Sequence, residues 1–136
     1  MTKPSKRRRG DCYGRALRRL FKMKNVRGWR LVHGFALVGG MARDGLAIPG
    51  EHAWLQLPDG RVWDPTENAL ATAEEYAAAC HAMPVREYTK LQAARLASRH
   101  GHYGPWYDDK TGSQAERRFW QQHVPGFAEV VGGAAE

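Results

Sequence analysis

The tripeptide Pro58-Asp59-Gly60 constrains this chain more than any other feature, because it separates two runs that read as strands, His52–Leu57 and Arg61–Asp64. Proline presets φ at the first turn position, aspartate bonds back to its own backbone, and glycine takes a left-handed φ. A three-residue loop of this kind is a type I turn closed by glycine. Its length sets the register, and register decides which side chains share a face, since strand side chains alternate. With three loop residues, Leu57 stands opposite Arg61 and Trp54 opposite Asp64. His52, Trp54, Gln56, Val62 and Asp64 then share one face. Ala53, Leu55, Leu57 and Trp63 share the other, which is the more apolar and is expected to face the core. His52 and Asp64 become diagonal neighbours, about 7–8 Å apart at Cα and within side-chain reach. An even loop would put them on opposite faces.

Around this hairpin the sequence predicts a helix, strands and then helices. Asp11 is placed to cap a helix running to about Lys24. Ala16, Leu17, Leu20 and Phe21 form its apolar stripe, and Arg15, Arg18, Arg19 and Lys22 a basic one. Trp29–Val38 reads as a strand and Gly39–Gly50 as a loop. Three capping boxes, Thr72…Glu75, Thr89…Gln92 and Ser113…Glu116, predict helices over 73–82, 90–100 and 114–123. Pro84 and Gly101 stand where the first two should stop. There is no internal repeat. The expected fold is α+β: a small antiparallel sheet packed on an N-terminal helix that carries Cys12, followed by a helical C-terminal half. At 136 residues the chain is one domain, expected over 11–125, with a basic arm at 1–10 and a Gly/Ala-rich tail at 126–136.

The net charge of +7 is unevenly spread. Residues 1–30 hold twelve Lys and Arg and one acid, Asp11, giving 12 − 1 = +11. The other 106 residues hold nine bases and thirteen acids, giving −4. The arm, with Arg15, Arg18, Arg19 and Lys22, reads as a docking surface for nucleic acid or an acidic protein, or as a solvated helix face. No helix-turn-helix, zinc-finger or phosphate-loop pattern is present, so specific nucleic-acid recognition has no support. The basic start is not followed by the apolar stretch of about 7–15 residues that a secretion signal needs. The run Gly34–Ala42 is too short to span about 30 Å of hydrocarbon. Two cysteines do not make a disulfide framework. The expectation is a cytoplasmic protein that binds no membrane.

Cys12 lies at the start of the predicted helix, where unpaired N–H groups and the helix dipole favour a thiolate. A catalytic thiol also needs a base and a group to orient that base, and the hairpin offers His52 and Asp64. Gly10-Asp11-Cys12-Tyr13…Ala16, then His33-Gly34, His52-Ala53-Trp54 and Trp63-Asp64-Pro65-Thr66, resemble the transglutaminase-like branch of the papain-like cysteine enzymes. The resemblance covers about residues 10–66. It implies a Cys12 nucleophile, a His52 base and an Asp64 orienter. The activity implied is acyl transfer through a thioester: an amide or peptide hydrolase, a deamidase or a transglutaminase-type transferase. Cell-wall endopeptidases with a Cys/His/His site share part of the pattern, but the Asp64 hairpin favours the first group.

The Cys12 N–H can supply one oxyanion donor, and Gln56 or Tyr103 are candidates for the second. Trp54 and His33 complete the set that could line a substrate cleft. The rival to an enzyme is a binding module of the same fold that docks nucleic acid or an acidic partner through its basic segment. No metal and no cofactor is expected. His100 and His102 lack the companion ligands of a metal site, and Cys80 reads as a packing residue.

Overall fold

A computed structural model describes residues 11–38 and 48–123. The arm at 1–10, the tail at 126–136 and most of the 39–50 loop lie outside the described residues. The hairpin has the predicted register: Leu55 pairs with Trp63 and Gln56 with Val62. Leu57 N–H donates to the Arg61 carbonyl (2.8 Å), Gly60 N–H donates back to the Leu57 carbonyl (2.9 Å), and Gly60 has φ +92°. The loop therefore holds three residues, as the parity argument requires.

The chain runs α1 (Asp11–Lys22), β1 (Arg30–Val38), β2 (Ile48–Gln56), β3 (Val62–Asp64), β4 (Ala69–Ala71), α2 (Ala73–Cys80), β5 (Met83–Tyr88), α3 (Lys90–His100) and α4 (Asp109–His123). The fold is α+β, with an antiparallel five-stranded sheet in the order β4-β3-β2-β1-β5.

Two capping boxes form as predicted. Thr72 Oγ1 accepts from Glu75 N–H while Glu75 Oε1 accepts from Thr72 N–H, and Thr89 and Gln92 repeat the arrangement. The third does not form. α4 begins at Asp109, so Ser113 lies inside the helix, and Asp108 Oδ1 takes the Thr111 N–H instead (2.8 Å). Asp11 also departs from expectation. It is the first helical residue, and its carboxylate binds Arg15 Nε (3.0 Å) and Arg18 Nη2 (3.6 Å). α1 ends at Lys22, and Phe21 is exposed rather than buried.

The C-terminal half is not all helical. β4 and β5 were hidden in sequence by their length and by Pro84. Proline is tolerated there because β5 is an edge strand, where a missing N–H interrupts no central ladder. β2 also starts four residues earlier than expected, at Ile48.

The predicted core face is buried under α1. Cys12, Tyr13, Ala16, Leu17 and Leu20 pack on Leu31, Ala53 and Leu55, with Trp63 partly buried beside them. The opposite face is buried too. α2 sends Tyr76 and Cys80 onto Val32, Trp54 and Val62. Farther along the α1 side, Ala115 and Phe119 of α4 cover Phe35. No helix among the described residues is long and apolar enough to cross a membrane.

Candidate active site

The hairpin delivers His52 and Asp64 to one face, and α2 then seals that face. Both side chains are fully buried. His52 Nε2 and Asp64 Oδ2 are 2.7 Å apart. Tyr76 Oη donates to the same oxygen at 2.5 Å, and the backbone N–H groups of Thr66 and Glu67 donate to Oδ1 at 3.0 and 3.2 Å. The turn at Pro65-Thr66 that follows β3 points these two donors at Asp64. Burial alone would raise the Asp64 carboxyl, but His52, Tyr76 and the Glu67 N–H outweigh it and hold it below its ordinary 3.8.

Burial likewise opposes charge on His52. The hydrogen bond to Asp64, the Cys12 thiol nearby and the Asp64 charge overcome it and push the imidazole up to about 10. His52 Nδ1 has no hydrogen-bond partner. The β2–β3 ladder pairs only residues 55 and 56 of β2, so the strand segment before it has no β3 neighbour. The first turn of α1 approaches there: Cys12 Sγ lies 3.9 Å from the Glu51 carbonyl oxygen, beside His52. Cys12 is 7% exposed. Cys12, His52 and Asp64 therefore meet, in the order thiol, imidazole, carboxylate. An imidazole that binds a proton this firmly beside a thiol is suited to accept the thiol's proton.

The other residues singled out in sequence scatter. Trp54 is buried against Tyr76, with ring centroids 5.5 Å apart, and its ring lies 5.9 Å from that of His52. It backs the imidazole and does not line an open cleft. Gln56 pairs with Arg30 and Val62 at the hairpin end of β2, four residues from His52. Tyr103 is exposed, next to Gly14 on the first turns of α1, with the Arg18 guanidinium 5.8 Å from its ring centre. His33 points to the α1 side and is fully buried among Tyr13, Tyr88 and Trp106 (centroids 4.7, 5.1 and 4.9 Å). Gly104 packs on its ring, neither ring nitrogen has a partner, and burial pushes it down to about 3. Of the basic stripe, Arg15 and Arg18 are held by Asp11, Arg19 lies 5.3 Å over the Trp63 ring, and Lys22 is exposed.

His102 Nδ1 accepts the Gly104 N–H at 3.1 Å, an ordinary loop contact. Cys80 is fully buried and reaches Glu67 Oε2 at 3.8 Å. Among the described residues, His52, Asp64 and Glu67 are the one group of three or more His, Cys, Asp or Glu whose ligand atoms lie within 4.8 Å of each other. A metal there would have to displace the hydrogen bonds that Asp64 already accepts.

Sequence reasoning missed Tyr76 altogether. The Thr72…Glu75 box placed its helix, but how that helix would sit on the sheet left no local signal. No protein-family model matches this chain, and neither a curated protein nor a solved structure is significantly similar to it.

Proposed function

We propose that this protein is a cysteine-dependent acyl-transfer enzyme with a core of the papain/transglutaminase-like kind. One observation carries the reading: a buried imidazole is bonded through Nε2 to a carboxylate, while its Nδ1 is left unpartnered beside a thiol at a helix start. Cys12 Sγ attacks the carbonyl carbon of an amide, ester or thioester. The thiol proton rests on His52 Nδ1, and that nitrogen gives it to the departing nitrogen, oxygen or sulfur, leaving a thioester on Cys12. Water or an amine then attacks that thioester and loses its proton to His52. The proton returns to sulfur as the acyl group leaves. Asp64 holds the ring and stabilises the imidazolium, and Tyr76 with the Thr66 and Glu67 N–H groups holds Asp64. Helix geometry leaves the Cys12 N–H without an intrahelical partner, so it is available to the developing oxyanion.

Alkylation by iodoacetamide at pH about 6.5 tests this. Cys12 is expected to react on the order of ten- to a hundredfold faster than glutathione, and His52→Ala to remove the advantage. Cys80, fully buried, serves as the internal blank. A Cys12 that reacts no faster than glutathione in the folded protein refutes the proposal.

A further inference from the structure

Beside Cys12, on the α1 side of the sheet, lies a group of polar side chains that the acyl-transfer mechanism does not use. Glu51 precedes His52 on β2 and pairs across with Phe35, so both point to that side. Phe35 is covered by Ala115 and Phe119 of α4. Tyr107 lies against α4 at Gly112, with no room for a side chain between them beyond a tight methyl (3.2 Å). Glu116, one helical turn beyond Gly112, is on the same face of α4. Tyr13, next to Cys12 in α1, completes the group.

Three features of this cluster are unusual. First, Glu116 is close enough to Glu51 for its charge to act on it, and no cation among the described residues pairs with either. Among the described residues the Lys and Arg ion pairs are Arg15 and Arg18 with Asp11, and Arg61 with Asp59. Second, burial and then the Glu116 charge raise the Glu51 carboxyl, against a smaller opposite effect of the Tyr107 hydroxyl. Third, the Tyr13 hydroxyl is buried beside that of Tyr107 (Tyr13 is 4% exposed), and neither makes a well-formed hydrogen bond. Tyr13 feels Tyr107, Glu51 and Cys12, so its hydroxyl points into the group and not away from it. Burial raises both phenols, and Tyr107 reaches about 12. Both therefore stay neutral, and each presents oxygen lone pairs to a donor. An unpartnered buried hydroxyl is costly, and the two carboxylates beside it are exposed and repel each other. A bound cation with N–H donors relieves all of them together.

We infer that Glu51, Glu116, Tyr13 and Tyr107 form a subsite for a positively charged substrate group, an alkylammonium or a guanidinium, seated next to the carbonyl that Cys12 attacks. The inference rests on Cys12 being the reactive nucleophile proposed above. It makes Glu51 and Glu116 specificity residues. The chain's own arginines, held by Asp11 or stacked on Trp63, lie elsewhere on α1.

Two reagents of one reactive group test it on the full chain. 2-Aminoethyl and 2-sulfonatoethyl methanethiosulfonate each form a disulfide with a cysteine thiolate and release methanesulfinate, and they differ in the sign of the charge they carry. The ratio of their rates at Cys12, divided by the same ratio for glutathione, is expected to be about tenfold or more in favour of the cation at low salt. Glu51→Gln and Glu116→Gln should each lower it several-fold, and high salt should also lower it. Glu87→Gln, on the edge strand, should leave it unchanged. A Cys12 that iodoacetamide labels fast but that shows no cation preference overturns this inference alone. So does a preference that neither glutamine substitution lowers. A Cys12 that no reagent modifies overturns this inference and the acyl-transfer proposal together.

Discussion

Tyr76→Phe removes one oxygen atom and leaves the ring that packs on Trp54. The hydroxyl donates to Asp64 Oδ2 at 2.5 Å, and Tyr76 is only 2% exposed, so water cannot take its place. Asp64 then keeps His52 and the two backbone N–H donors of the turn. A hydrogen bond to a charged group is worth about 1.5–3 kcal/mol. The expected loss is therefore roughly 2 kcal/mol at pH 7, or about 8 °C in Tm for a domain of this size. The loss should depend on pH in a definite direction. Asp64 is held below its ordinary 3.8, so the stability it contributes is present above that value and disappears as pH falls through the folded value. Tyr76 is one of the groups that lower it. The difference between wild type and Tyr76→Phe should accordingly shrink as the pH drops below 3.8. Urea unfolding followed by tryptophan fluorescence, at pH 7 and at pH about 3, measures both quantities, with an unchanged m value as the check on two-state behaviour. A loss below about 0.5 kcal/mol, or one that does not change with pH, would refute the claim that this hydroxyl stabilises the ionised carboxylate.

Three further substitutions, two of them read through pH, probe the same architecture. His33 is neutral in the fold and pushed down to about 3 by burial, so its contribution is complete above 6.5 and is lost as pH falls below it. The slope is at most about 1.4 kcal/mol per pH unit. His33→Phe should flatten the decline between pH 6.5 and about 4 while changing stability at pH 7 by less than about 1.5 kcal/mol; an unaltered acid limb in urea titrations would contradict this. His52 acts in the other direction. It is pushed up to about 10, so its contribution is complete below 6.5 and is lost as pH rises toward that value. Thermal scans should therefore show maximal stability near pH 6.5, and Asp64→Asn should weaken the alkaline limb. Gly34→Ala would drive a methyl into the Met83 carbonyl, where β1 meets β5 at the register shift between His33 and Gly34. Backbone cannot yield as a side chain does, so a loss of about 3 kcal/mol or more is expected by urea unfolding, and a near-neutral result would mean that the two strands do not touch there.

What could be read from sequence was local or governed by parity. The turn residues set the hairpin register, and that register put His52 and Asp64 together before any tertiary contact was considered. Thr72, Thr89 and Gly101 marked helix ends through chemistry confined to a few residues. The misreadings share a cause. Asp11 was available as a cap but found better partners in Arg15, one turn along, and Arg18, two turns along. Ser113…Glu116 matched a capping box, yet Asp108 began the helix a turn earlier. Pro84 reads as a helix stop, and it hides an edge strand, β5, that only the sheet as a whole can define. Tyr76 and Glu51 owe their roles to which helix lands on which face, and no spacing along the chain encodes that.

Two buried histidines sharpen the case for the site. His33 and His52 are both fully buried, one on each side of the sheet, on adjacent strands. His33 has both ring nitrogens unpartnered, aromatic rings around it and no carboxylate in contact, so burial wins and the ring stays neutral. It behaves as a packing residue that happens to carry two nitrogens. His52 has a carboxylate at 2.7 Å, and that carboxylate is itself held by three further donors. Burying such a pair adds little net stability, and well-packed apolar residues of similar volume often do as well or better. Stability alone therefore gives no reason for the pair or for the Tyr76 hydroxyl behind it. Nor does stability give a reason for an Nδ1 left without a partner, which costs about 1–3 kcal/mol. Among the described residues, the group beside that nitrogen is the thiol of Cys12. On adjacent strands, the histidine without a carboxylate stays neutral, and the histidine with one lies beside the sulfur. That contrast, more than burial or charge, supports proton transfer as the purpose of the arrangement.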